Sequence, residues 1–492
     1  MPLDHLDDDV LFLILDFTDV YTILSLSRVN RYLNRISCSR QVWIAVVLDL
    51  SSRHLIDLPL DAIVENSSTE ELKDEVKRVV VGPRTWSHTS MEPPTLLRRK
   101  IVPIPETDNS AHGYFESTAY IITYVDELNH GDAGEHQIQC LEAHTGRIVW
   151  SWARLGHVVF EAKCDFRGRY AVLAFVSSTP DTGEYHILIL EIDLKTGDSR
   201  ELLAIDGLLD TPFELRICGN YCACETLHNN CALLINWSTS QFIVLRSAIY
   251  PLSYGVELCS QHMLLTYGGR NPYLHLYSFG LFDSLWAPIS QLDLNALINC
   301  IDLPPSLVLE LPGIGVRYYA GLTRTTLLES PIHADTYELI LEIVNFRRRR
   351  GVLFRRLLSW FHSTPLPPAA TLHNGKTLQM TTRAQYRLTF GSISSFPGQS
   401  ESPQLSVQSV VRHSRSFQSF TSRAGYGLWY GGPRASDAEF VVQRLDSIGS
   451  TKPLKIPLPD VSPSERPYDM RLTHSGAVLA MYRSKMVVSH YL

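Results

Sequence analysis

The run Leu6-Asp-Asp-Asp-Val-Leu-Phe-Leu-Ile-Leu-Asp-Phe17, then Ile23-Leu-Ser-Leu-Ser-Arg-Val-Asn-Arg-Tyr-Leu-Asn-Arg-Ile36 and Val42-Trp43, decides how the rest of the chain is read. It reads as a set of short helices. Val10, Leu11, Ile14 and Leu15 fall on one helical face. Asp7, Asp8 and Asp9 precede them, where carboxylates satisfy free N–H groups and suit the positive end of the helix dipole. Thr22 is placed to cap a second helix. In that helix Ile23, Leu26, Val29 or Asn30, and Leu33 recur at helical spacing, with Arg28, Arg31 and Arg35 on another face. A unit of about fifty residues buries little core by itself. Its leucines therefore either pack on the rest of the chain or fill a partner's groove.

Working outward, the 492-residue chain is long enough for two or three domains. It is 45% hydrophobic and 19% charged, which suits a folded protein with a sizeable core. The net charge of -7 excludes nucleic-acid binding through general basicity. No apolar run reaches the roughly 20 residues of a membrane span, and the acidic start is unlike a signal peptide. The expected setting is the cytoplasm or nucleus. Nine scattered cysteines, an odd number, fit reduced core thiols there.

After a connector over Asp49–Pro59, Ser68 and Glu71 form a capping box. It opens a helix with Leu72, Val76, Val79 and Val80 on one side, ended by Gly82-Pro83. Trp86 and a Pro-rich passage from Met91 to Pro105 complete what reads as a stiff bridge over 51–110. From about Tyr114 the pattern turns to strands. One set is His157–Cys164, Arg169–Val176, Tyr185–Asp193 and Ser199–Leu203. A second is Phe213–Cys218, Tyr221–Thr226, Ala232–Trp237 and Gln241–Leu245. A third is Gly255–Cys259, His262–Tyr267, Tyr273–Ser278 and Leu285–Ile289. Gly, Pro and Asp turns punctuate them. Consecutive four-strand units of about 40–55 residues are the mark of propeller blades.

Later strands are expected at Val316–Gly321, Tyr337–Phe346, Gly427–Tyr430, Glu439–Leu445, Asp469–Thr473, Ala477–Arg483 and Lys485–Tyr491. The last of these would close a ring with a strand near Tyr120–Tyr124. Ser359 to Gly375 is a Pro-rich insertion. Gly391 to Ser422, rich in Ser and Gln, is expected to be a mobile loop. The fold class is therefore α+β and multidomain: a helical unit over 1–50, a linker over 51–110, and an all-β propeller-like domain over 111–492.

No catalytic constellation stands out. Cys218, Cys222, Cys224 and Cys231 lack the paired spacing of tetrahedral zinc sites and read as buried thiols. The glycine and histidine motifs of nucleotide, hydrolase and metalloprotease sites are missing. The glycines of Pro312-Gly-Ile-Gly315 read as turn glycines. Arg347-Arg-Arg-Arg350 reads as a solvated hairpin end or, less favoured, an import or acidic-partner patch. No cofactor and no metal are expected.

The opening run resembles the F-box family, whose pattern is Leu-Pro-x-Glu/Asp-Val/Ile-Leu-x-x-Ile-Leu, then Leu-Leu-x-Leu-Ser-x-Val-Asn/Cys-Arg-x-Leu-Asn/Arg-x-Ile, then Val/Leu-Trp. Leu6, Asp9, Val10, Leu11, Ile14, Leu15, Leu24, Leu26, Ser27, Val29, Asn30, Arg31, Leu33, Asn34, Ile36, Val42 and Trp43 match it. Asp7 stands where the family has proline. With the degenerate WD-like propeller that follows, the chain is similar to the large F-box families of basidiomycete fungi. The resemblance implies a non-catalytic, substrate-recruiting subunit of an SCF-type ubiquitin ligase. It would dock on a Skp-type adaptor, and through it a cullin scaffold, while the propeller holds a protein substrate. Leu6, Val10, Leu11, Ile14, Leu15, Leu24, Val29 and Leu33 would be a mixture of docking and internal residues, with Trp43 internal. Two other readings remain open. One is an F-box scaffold outside ubiquitination. The other is a propeller enzyme or small-ligand protein with a helical cap, which needs convergent acids or a metal set around the channel.

Overall fold

The computed structural model describes residues 6–53, 55–56, 66–86, 93–103, 111–114, 120–125, 136–142, 145–154, 156–179, 181–226, 231–246, 253–267, 272–292, 300–301, 303–311, 320–333, 335–345, 380–390, 403–413, 426–431, 439–444, 454–456, 467, 469–472, 476–482 and 485–491. Among the described residues five helices come first: α1 (Asp8–Asp16), α2 (Val20–Leu26), α3 (Arg31–Ser37), α4 (Arg40–Ser52) and α5 (Thr69–Val81). The expected capping box is present at α5, with Ser68 and Glu71 bonding reciprocally. Thr22 is not the cap of α2. That role falls to Asp19, whose carboxylate accepts from the Thr22 backbone N–H at 2.8 Å. Asn30 likewise caps α3, so the expected second helix is two helices joined by a turn.

The connector after residue 49 begins inside α4, and Leu50, Leu55 and Ile56 are buried. Leu72, Val76 and Val79 of α5 pack in one cluster with Leu11, Leu15, Ile23, Leu33 and Trp43. The helix expected in a linker thus completes the helical core, which the first fifty residues alone would leave open.

The described strands form seven sheets. Blade one holds Ala111–Tyr114, Tyr120–Val125, His136–Glu142 and Ile148–Arg154. Blade two holds Val158–Arg167, Tyr170–Thr179, Glu184–Asp193 and Ser199–Leu208. Blade three is built on Pro212–Cys218, Tyr221–Thr226, Cys231–Asn236 and Gln241–Arg246. Blade four holds Ser253–Cys259, His262–Tyr267, Tyr273–Ser278 and Leu307–Glu310. Blade five holds Ala320–Glu329, Thr336–Asn345, Met380–Thr389 and Gln404–His413. Blade six holds Tyr426–Gly431, Glu439–Arg444 and Leu454–Lys455. Blade seven holds Asp469–Leu472, Val478–Met481, Lys485–Tyr491 and, from the other end of the chain, Leu96–Pro103.

The sheets are arranged as propeller blades. The first strand of blade two touches the first strands of blades one and three, and the series continues to blades four and five. Glu161 accepts from the Leu215 N–H at 3.1 Å and Asp165 from the Gly219 N–H at 3.0 Å. The constant offset shows that these inner strands run parallel. Apolar clusters seal blade one to two, two to three, three to four, four to five, six to seven and seven to one.

Three expectations are corrected. The ring is closed by Leu96–Pro103, paired antiparallel to Lys485–Tyr491, and not by a strand near Tyr120, which belongs to blade one. Leu285–Ile289 is not the fourth strand of its set. Ala287-Pro288 adds instead to blade three, and Leu307–Glu310 completes blade four. The expected mobile loop holds the strand Gln404–His413, whose backbone groups pair with Thr381–Thr389 and whose Leu405 packs on the apolar cluster between blades four and five. Trp86, expected in the bridge between helices and strands, serves there as packing. It is buried among Tyr426 and Tyr491, at ring distances of 5.4 and 5.3 Å. Ser359–Gly375, Arg347–Arg350 and Pro312–Gly315 lie outside the described residues.

Candidate functional site

Asp7 begins the first helix with φ -64° and ψ 150°, and its carbonyl accepts from the Val10 and Leu11 N–H groups at 3.1 Å each. A φ near -65° is the value proline enforces. The first turn therefore forms without the proline, in a backbone shape that proline would fit. The Tyr32 hydroxyl lies 2.7 Å from Asp8 Oδ1 and 3.0 Å from the Leu6 carbonyl. Arg35 reaches Asp8 at 3.1 Å, so α3 holds the start of α1.

The core divides the candidate residues. Leu11, Leu15 and Leu33 are buried, and Leu6 packs half-buried on the same cluster. Val10, Ile14, Leu24 and Val29 are exposed. Leu13, Phe17 and Tyr21 join them, with exposure running from 37% at Ile14 to 90% at Phe17. The α1 face read as one in the sequence is thus an arc. Its inner edge is Leu11 and Leu15, and its outer edge is Val10, Leu13, Ile14 and Phe17. Those four stand at i, i+3, i+4 and i+7, one stripe of a helix. The spacing signal for Leu13 and Phe17 was present in the sequence. Tyr21 and Leu24 repeat it at i and i+3 on α2. Trp43 is buried, with the Lys73 ammonium 5.8 Å from its ring.

The helical unit sits on the propeller through three turns. The Tyr21 N–H donates to the Ile332 carbonyl at 3.1 Å, and Arg53 pairs with Glu329 at 2.7 Å. The Gly168 N–H reaches the Ser52 carbonyl at 3.4 Å. Gly476, at φ 91°, leaves room for Pro83, which a Cβ there would meet at 3.0 Å. Each turn joins the first and second strands of its blade. With parallel inner strands these turns share one end of the ring, so the helices occupy that face.

Inside the ring, Arg216 on the first strand of blade three gathers acids from its neighbours. It lies 2.9 Å from Glu257, 3.0 Å from Glu214 and 4.0 Å from Glu161. Burial pushes the Glu161 and Glu257 carboxyls up, and Arg216 opposes that. Burial also works against the guanidinium charge, but the three glutamates outweigh it and raise the Arg216 pKa. The cysteines divide between two clusters: Cys222, Cys224 and Cys231 in the core between blades two and three, Cys218 in the next. Burial holds the Cys222 thiol up at about 12, which disfavours the thiolate a metal needs. At the far end of blade two, His186 sits between Thr179 at 2.9 Å and Asp206 at 2.8 Å, with the His157 ring 5.0 Å away. Among the described residues no group of three His, Cys, Asp or Glu is arranged to hold a metal ion.

Residues 3–45 match the family model of the F-box domain. No curated protein matches the chain. Among solved structures, the β-propeller domain of Cps50 (Swd1) from Myceliophteria thermophila is similar at 9% identity and a TM-score of 0.40, covering 81% of this chain and 99% of that one. The C-terminal WD40 domain of Sif2 is similar at 10% identity and a TM-score of 0.36, over 81% of this chain and 99% of that one. Raptor from Chaetomium thermophilum matches at 9% identity and a TM-score of 0.39, over 99% of this chain and 39% of its own. The ring of sheets identifies the propeller independently of these likenesses.

Proposed function

We propose that this chain, which carries an F-box domain at residues 3–45 and a propeller behind it, is the substrate-recruiting subunit of an SCF-type ubiquitin ligase. The observation that carries the reading is the outer stripe of α1, Val10, Leu13, Ile14 and Phe17. It stays exposed although the same helix already has a complete inner face. Burying four such side chains contributes on the order of 4–8 kcal/mol before the costs of association. Association itself costs a comparable amount, so the stripe anchors the contact and the surrounding footprint supplies the surplus. The occupant is the Skp-type adaptor that an F-box implies, and the cullin scaffold follows through it.

In this reading no side chain of the chain needs to transfer a proton or attack a bond. The work is tethering: a target held on the propeller meets the charged conjugating enzyme at high effective concentration. The helices occupy the face of the first-to-second-strand turns, which leaves the opposite end of the ring for a target. The acids on the inner strands are held by Arg216. That supports a clamp across three blades over a catalytic pair.

The test is co-purification of the full chain with a Skp-type adaptor. Ile14→Asp, or Leu13→Asp, should abolish it while the thermal transition stays in place. Leu11→Asp does not serve, because Leu11 is in the core and its loss unfolds the helices. Retained binding by both surface variants sinks the docking assignment. Adaptor binding without target ubiquitination in a reconstituted ligase would favour the scaffold role.

A further inference from the structure

The docking stripe does not end at the helices. Tyr21, exposed on α2 in line with Leu24, donates its backbone N–H to the Ile332 carbonyl at 3.1 Å, and its ring lies 4.6 Å from that of His333. Ile332 and His333 belong to the hairpin between the first two strands of blade five. That hairpin is held at its base by register pairing of Glu329 with Tyr337, and the Ser330 N–H donates to the Thr336 carbonyl at 2.8 Å. Ser330 Oγ also accepts from the Ile332 and His333 N–H groups at 3.3 and 3.2 Å. Ile332 packs on the helical core, and Arg53 pairs with Glu329 beneath it. Residues 329–333 are therefore tied down beside the exposed face, which lowers the ordering cost of a contact there.

We propose that this blade-five hairpin is part of the adaptor-docking surface, so that the protein seated on the α1 stripe also closes over Tyr21 and His333. The inference rests on the adaptor reading above and names a propeller contribution to it. Continuity decides the occupant, since a partner that covers Phe17 and Leu24 has Tyr21 and its hairpin neighbour within the same footprint. Such a contact fixes the angle between adaptor and propeller from both sides of the joint.

The experiment is the dissociation constant of the full chain for a purified Skp-type adaptor, with His333→Glu and Leu13→Asp measured beside the unaltered protein. Hydrogen exchange at residues 331–333 of the unaltered protein, with and without adaptor, is the second readout. The expected result is near-complete loss for Leu13→Asp, about tenfold weaker binding for His333→Glu, and slowed exchange in the hairpin on adaptor addition. Loss for Leu13→Asp alone, with His333→Glu binding unchanged or tighter and no slowing of exchange, overturns the hairpin contact and leaves the adaptor reading standing. Full binding by Leu13→Asp overturns both.

Discussion

Leu11 and Ile14 stand one helical turn apart on α1, yet one faces the core and the other faces water. Opposite failures follow. Leu11→Ala should cost about 2–5 kcal/mol, the usual range for a core leucine, read as a fall in the denaturation midpoint of the helical unit. Ile14→Asp should shift that midpoint by no more than about 0.5 kcal/mol, while adaptor binding is lost. Asp7 gives the reverse kind of test. Its φ of -64° suits proline, so Asp7→Pro should raise stability by about 0.4–1 kcal/mol; a destabilised variant would show that the Asp7 N–H or carboxylate matters more than the backbone shape. Which leucine points inward was not legible in the run itself. Periodicity defines faces only relative to one another, and α1 is apolar on both sides of the arc.

Elements were legible where turn chemistry bounded them. Tyr221–Thr226, His262–Tyr267, Tyr273–Ser278 and Lys485–Tyr491 stand where the alternation and flanking turns place them. Leu96–Pro103 was hidden because Arg98, Arg99 and Lys100 interrupt it beside prolines, and its strand character comes from pairing with the last strand. Gln404–His413 was hidden by the Ser- and Gln-rich stretch around it, although Leu405 and Val407 alternate with polar residues as in a half-buried strand. His490 lies opposite Arg98 across that closing pair. Burial first, then Arg78 and Arg98, hold its pKa down at about 4. A depressed histidine stabilises the fold above its ordinary value near 6.5 and loses that contribution as the pH falls towards 4. Acidification from pH 7 to pH 5 should therefore cost up to about 2 kcal/mol at this joint. Thermal transitions of the unaltered chain and of His490→Gln at both pH values check it, and the variant should lack this part of the slope.

At the scale of the whole molecule, one strand of each end closes the ring, and one tryptophan ties the helices to the last blades. A chain starting at residue 111, where the strand-rich pattern begins, lacks the outer strand of blade seven. It should unfold at lower denaturant than one starting at residue 93, with equal midpoints refuting the closure. Trp86→Ala should cost about 3–5 kcal/mol, because the ring fills the space beside Tyr426 and Tyr491; limited proteolysis after residue 81 would report the loosening. The blade architecture was legible from repeated turns, but the seat of the helices on the propeller was not. That seat depends on contacts such as Arg53 with Glu329, far apart in the chain.

The closing strand has a consequence in time. Residues 96–103 leave the ribosome long before residues 485–491 exist, and at ordinary elongation rates the interval is roughly 20–80 s. Throughout it the strand has both edges open, and Arg98, Arg99 and Lys100 keep such an edge from pairing with neighbouring chains. Helices α1 to α5 are complete from the same early moment, with the Ile14 and Phe17 stripe already displayed. On the proposed reading, a nascent chain could engage an adaptor while the propeller is still being made.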